Sequence, residues 1–92
     1  SHVEEMVYKH PAIAECVCAG VPDPYRGEAV KIWVTCKDGH TVTADALRDF
    51  LKEYLSPVEL PRQIEIRAEP LPKTLIGKLS RKDLLAQDAA RA

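Results

Sequence analysis

Residues 13–36 hold two apolar runs divided by the octet VPDPYRGE, and this arrangement restricts the fold more than any other feature of the chain. Residues 13–21 are apolar and β-branched enough for a buried strand. Residues 29–36 alternate Val30, Ile32, Val34 and Cys36 with Lys31, Trp33 and Thr35, the period of a strand with one face inward. The Pro, Asp and Gly residues of 21–28 suit a tight reversal. The two runs read as a hairpin of antiparallel strands.

Helical patterns flank it. Val3, Met6 and Val7 fall at helical spacing behind a Ser1/Glu4 capping pattern, and Pro11 stops that segment. After the turn KDGH, Thr43 caps a helix whose Leu47, Phe50, Leu51, Tyr54 and Leu55 share one face and read as core. Residues 63–67 alternate around Ile64 and Ile66 as a short strand. Ser80 and Asp83 cap a last helix carrying Leu84 and Leu85, and the tail AQDAARA is expected to fray. The order α-β-β-α-β-α predicts an α+β fold: a small mixed β-sheet, made of an antiparallel hairpin plus a third strand, packed with about three helices.

A chain of 92 residues without repeats, linker or low-complexity segment is expected to form a single domain, residues 1–92. Its net charge of −1 argues against a general nucleic-acid or membrane surface. No apolar run approaches the ~20 residues needed for a bilayer span, and no signal-peptide pattern opens the chain, so cytoplasmic location is the expectation. Cys16 and Cys18 lie two apart, on one face of a strand, where they read as small buried hydrophobes. His2, His10 and His40 are scattered without a second ligand pair at zinc-like spacing, so no metal site is predicted.

The stretch PLPKTLIGKLSRK, residues 70–82, raises a phosphate question because a Gly-Lys pair often announces a Walker A loop. Here Pro72 occupies the first glycine's position and has no N–H, while Leu79 stands where the magnesium-binding hydroxyl belongs. The backbone cradle is therefore excluded. What remains is a basic group, Lys73, Lys78, Arg81 and Lys82, near a helix start, which could hold an anion or be a solvated face.

Two separated motifs carry a resemblance: Gly20-Val21-Pro22-Asp23 with Gly27-Glu28, and Pro72-Lys73-Thr74 with Gly77-Lys78. Over nearly the whole chain, from about Val3 to Leu85, it resembles the C-terminal domain of the adenylate-forming (AMP-binding) superfamily, most like an acyl-CoA synthetase. The resemblance implies a lid domain lying after the family's hinge, working with a larger N-terminal domain of the same enzyme, with ATP and Mg2+ bound mainly there and CoA as substrate. It implies that Lys78 is catalytic in forming the acyl-adenylate, supported in its flexible loop by Gly77, Thr74, Lys73 and Pro72. It implies also that Gly20, Tyr25, Arg26 and Gly27 face the pantetheine tunnel after a domain rotation. In the segment that touches the CoA nucleotide in relatives, Val58 and Glu59 replace an aromatic and a lysine, which leaves Arg62 as the phosphate partner. The lysine matching Lys78 is acetylated in relatives, which makes a lysine acetyltransferase an expected partner. By itself the domain is expected to be inactive. An adenylation domain that loads a carrier protein and a non-catalytic anion-binding module are the alternatives.

Overall fold

A computed structural model, which describes residues 1–91, places three helices and three strands in the order α1 (His2–Val7), β1 (Ile13–Asp23), β2 (Gly27–Cys36), α2 (Ala44–Leu51), β3 (Gln63–Arg67) and α3 (Arg81–Arg91). The expected α+β class and mixed sheet are what the structure has. β1 pairs antiparallel with β2, β2 pairs parallel with β3, and β2 is therefore central.

The helix starts form where the capping residues predict them. Ser1 Oγ accepts the Glu4 N–H, Thr43 Oγ1 accepts the Ala46 N–H, and Ser80 Oγ accepts the Asp83 N–H; each satisfies a donor that the first turn of a helix leaves open. α1 and α2 lie on the sheet face that carries Ile13, Cys16, Ile32 and Val34, where Val7, Leu47, Leu51 and Leu55 complete a core. Of the residues expected to line α2's inward face, Phe50 packs at the edge of the core and is partly buried, and Tyr54, which lies past the helix end at Leu51, is exposed.

The other face is also covered, contrary to the outward reading of Lys31, Trp33 and Thr35. Trp33 is completely buried among Val17, Val21, Leu71 and Leu84, and Lys31 and Thr35 are buried beside it. α3 supplies this cover, and the tail expected to fray is helical to Arg91. Its anchor is electrostatic: Asp88 accepts from Lys31 Nζ at 2.9 Å, and Arg91 reaches Glu65 Oε1 at 2.9 Å. Ala92 lies outside the described residues.

The turn expected over residues 21–28 is shorter. The strands continue to Asp23 and resume at Gly27, which leaves only residues 24–26 to reverse the chain. Asp23 Oδ1 accepts the N–H groups of both Tyr25 and Arg26, and Gly27 takes a φ of 80° that side-chain-bearing residues avoid.

Candidate functional site

Lys78 stands on a small hairpin of its own. Leu71 is buried and donates its N–H to Glu15 Oε1, fixing the entry, and Ser80 is buried at the start of α3, fixing the exit. Between them Lys73 and Leu79 form an antiparallel bridge, the Thr74 N–H donates to the Lys78 carbonyl at 2.7 Å, and the Ser80 N–H donates to the Pro72 carbonyl at 2.9 Å. Pro72 serves here as an acceptor, so its missing N–H costs nothing. The Gly77 N–H closes the turn on Thr74 C=O at 2.9 Å, and Thr74 Oγ1 accepts the Lys78 N–H. Gly77 has a φ of 84°, and a Cβ there would meet nothing within 4 Å, so glycine is needed for conformation rather than for space.

The basic residues around this hairpin do not form one anion site. Lys73 Nζ is paired with Glu15, and Arg81 donates to Cys18 O at 2.7 Å and to Glu4 Oε2 at 3.2 Å. Burial pushes the carboxyls of Glu15 and Glu4 up, yet both end below the usual carboxylate range. Hydrogen bonds from Lys73, the Leu71 N–H and Thr35 outweigh burial at Glu15; the Cys18 N–H, the amino terminus and Arg81 do so at Glu4. Both acids are thus ionised holders of their basic partners. Among the described residues Lys78 makes no ion pair and no side-chain hydrogen bond, and it is exposed. Its ammonium is the one presented by the hairpin to whatever approaches.

The residues expected to face pantetheine gather elsewhere. Gly20 is registered opposite Val30, and Arg62 donates its N–H to the Val30 carbonyl at 2.9 Å, so the two flank one residue of the central strand. Tyr25, 95% exposed, and Arg26 form the tip beyond them, with Gly27 at its base. A Cβ on Gly20 would come within 2.5 Å of the Glu28 side chain, which lies across it. The hairpin and its flank meet β1 at Glu15 and, through Arg81, at Cys18, whereas Tyr25 and Arg26 lie past the strand's end at Asp23. From Glu15, which holds Lys73, to Asp23 the strand rises roughly 26 Å at about 3.3 Å per residue.

Glu15 and Glu4 were not among the expected site residues, although they hold the hairpin and its flank. Their signal is an acid interrupting an apolar strand, at Glu15, and an acid one helical turn after a capping serine, at Glu4. No three His, Cys, Asp or Glu side chains among the described residues are grouped so as to hold a metal ion. No helix among them is long and apolar enough to cross a membrane.

Comparison with known proteins matches these features to one family. The sequence model for the AMP-binding enzyme C-terminal domain matches residues 2–78, ending on the hairpin lysine. A long-chain-fatty-acid–CoA ligase of Bacillus subtilis is 46% identical over 86 residues, which cover 94% of this chain and 15% of that protein. A 4-hydroxybutyrate–CoA ligase of Metallosphaera sedula is 40% identical over 85 residues, covering 89% of this chain and 15% of that protein. Among solved structures, an acyl-CoA synthetase of Brucella canis superposes with a TM-score of 0.86 at 40% identity, over 98% of this chain and 17% of that one. The chain thus spans about a sixth of the length of the relatives it matches. From the match over most of its length and the identities of 40% or more, the chain belongs to the AMP-binding enzyme C-terminal domain family.

Proposed function

We propose that this chain is the mobile C-terminal domain of an ATP-dependent acyl-CoA ligase, and that Lys78 is its contribution to the first half-reaction. In that step a substrate carboxylate oxygen attacks the α-phosphorus of ATP, the bond to the β-phosphate bridge breaks, and acyl-adenylate and pyrophosphate form. Carboxylate and α-phosphate are both anionic, and their approach is repulsive until a cation stands between them. A lysine ammonium is a compact charge on a flexible stem, and in a site closed to water a fixed charge is worth far more than in bulk solvent. ATP and magnesium are to be held by the larger N-terminal domain; the residues here supply one charge.

The observation that carries this reading is the placing of Lys78 on the hairpin: Lys82 is also exposed and unpaired, but it lies in the first turn of α3 and not on the hairpin. Lys73 and Arg81 are neutralised by Glu15 and Glu4, while Lys78 is held out on a hairpin with its charge unmatched. Such an arrangement suits a group that completes a site on another surface.

In the second half-reaction the CoA thiol attacks the acyl carbonyl, the thioester forms and AMP leaves. Gly20, Tyr25, Arg26, Gly27 and Arg62 are proposed to face the pantetheine arm and phosphates in that step. Lys78 and the exposed tip at Tyr25 and Arg26 stand on different turns of the domain, which suits a domain that turns between the steps and presents first one and then the other. An exposed Lys78 is also accessible to a lysine acetyltransferase, and acetylation would remove the charge that the first step uses.

The test is Lys78→Ala in the full-length enzyme. Adenylate formation, followed as pyrophosphate release, should fall by at least a thousandfold, while thioester formation from supplied acyl-adenylate and CoA stays within about threefold; the larger figure corresponds to about 4 kcal/mol of transition-state stabilisation. Equal loss of both half-reactions would remove the step-specific role. Incubation with acetyl-CoA and an acetyltransferase, read by mass spectrometry at Lys78, tests the modification.

A further inference from the structure

The tip of the Lys78 hairpin is apolar. Leu75 is fully exposed and Ile76 is 78% exposed, and they occupy the centre of a three-residue turn. Turns at this position favour Gly, Asn, Asp and Pro, which supply the geometry and meet water at no cost. Scattered exposed apolar residues are ordinary on protein surfaces. Two adjacent ones at the apex of a protruding turn, two and three residues before an unpaired lysine, are a different arrangement.

The tip and the lysine move as one piece. The Thr74 N–H bonded to Lys78 C=O and the Gly77 N–H bonded to Thr74 C=O fix the apex relative to Lys78. Leu71 and Ser80 fix the base of the hairpin in the domain. Any surface that receives the ammonium therefore receives Leu75 and Ile76 beside it.

We propose that Leu75 and Ile76 form an apolar plug that seats in an apolar recess next to the adenylation site on the larger N-terminal part of the same enzyme. In this role they align Lys78 and keep water from its charge. The inference rests on the reading of Lys78 given above. The occupant follows from size and from connection: the relatives are about six times longer than this chain, and the tip is bonded to the residue assigned to their shared reaction. A cation in the closed site needs an apolar seal for its field to act at low dielectric. Leu75 and Ile76 are thus positioning residues that act through Lys78.

The experiment uses the full-length enzyme carrying Leu75→Ser/Ile76→Ser. Loss of two buried apolar side chains should lower kcat for pyrophosphate release by roughly 20- to 100-fold. Thioester formation from supplied acyl-adenylate and CoA should stay within about twofold, and the Tm should not change, since neither side chain packs within the domain. The conservative Leu75→Met/Ile76→Val pair should restore adenylation to within about threefold, which a role in solubility or folding would not require. Lys78→Ala run in parallel separates the two ideas. If Lys78→Ala abolishes adenylation and the serine pair does not, the plug is wrong and the lysine's role stands; if Lys78→Ala leaves adenylation intact, both fall. A serine pair that slows both half-reactions equally also overturns the plug.

Discussion

Lys31 Nζ lies 2.9 Å from Asp88 Oδ2, joining the central strand to a helix 57 residues later in the chain. Glu65 Oε1 completes the contact at 3.0 Å, and the ammonium sits 4.9 Å above the Trp33 ring. A cation this well covered has lost its water and depends on these partners. Asp88→Ala should therefore destabilise the domain by about 2 kcal/mol in urea unfolding. The paired replacement Lys31→Met/Asp88→Leu should cost less than Asp88→Ala alone, because it leaves no buried charge uncompensated. Additive losses would count against a coupled pair.

Acid should loosen the same junction. Burial pushes the Glu65 carboxyl up, but hydrogen bonds from Arg67 and Lys31 and their charges outweigh it and bring it to about 2 from an ordinary 4.5. A carboxyl lowered in the folded state stabilises it above the unfolded value, and that contribution fades as pH falls through the folded value. Stability should decline from about pH 5 to about pH 2, with Glu4 and Glu15, also lowered, adding to the slope. In Glu65→Gln the urea midpoint should change less between pH 6 and pH 3 than in the parent. Parallel profiles would rule out Glu65 as a main contributor.

The free edge of β1 is closed by side chains rather than by a fourth strand. Tyr8 Oη accepts the Cys16 N–H at 2.9 Å, Glu4 Oε2 accepts the Cys18 N–H at 2.7 Å, and Arg81 Nε donates to the Cys18 carbonyl at 2.7 Å. Exposed edges invite pairing between molecules. Tyr8→Phe should cost about 1 kcal/mol. Tyr8→Phe/Glu4→Ala should in addition show concentration-dependent association by analytical ultracentrifugation, where the parent domain shows less.

Gly77 gives a way to disturb Lys78 without touching it. Since space around the missing Cβ is open and φ is 84°, Gly77→Ala should cost about 1 kcal/mol through backbone strain. In the full-length enzyme it should slow adenylation more than thioester formation, measured as separate half-reactions. An unchanged ratio of the two rates would show that the turn's geometry is not needed.

Much of this was legible locally. The capping pairs at Ser1 and Ser80, the hairpin, and the inward line of Leu47, Leu51 and Leu55 follow from spacing alone, because each depends on neighbours within a few residues. The cover over Trp33 was not legible, since alternation in β2 reports a strand but not whether a second layer lies above its other face. That layer includes α3, whose hold on the sheet depends on Asp88 meeting Lys31 across the length of the chain. The site divides in the same way. Lys78 and Gly77 stand out in the sequence, whereas the neutralisation of Lys73 and Arg81 depends on Glu15 and Glu4, 58 and 77 residues distant.

The hairpin that carries Lys78 closes on its own backbone hydrogen bonds, between a buried leucine and a helix cap. Ordering a loop of free residues on each encounter would cost on the order of 1 kcal/mol or more per residue. Here most of that entropy is lost once, when the domain folds, and it is not lost again on each turnover. The freedom that remains to Lys78 is that of its four-carbon stem. With the role proposed for Lys78, the rate at which it arrives would be set by rotation of the whole domain rather than by folding of the loop.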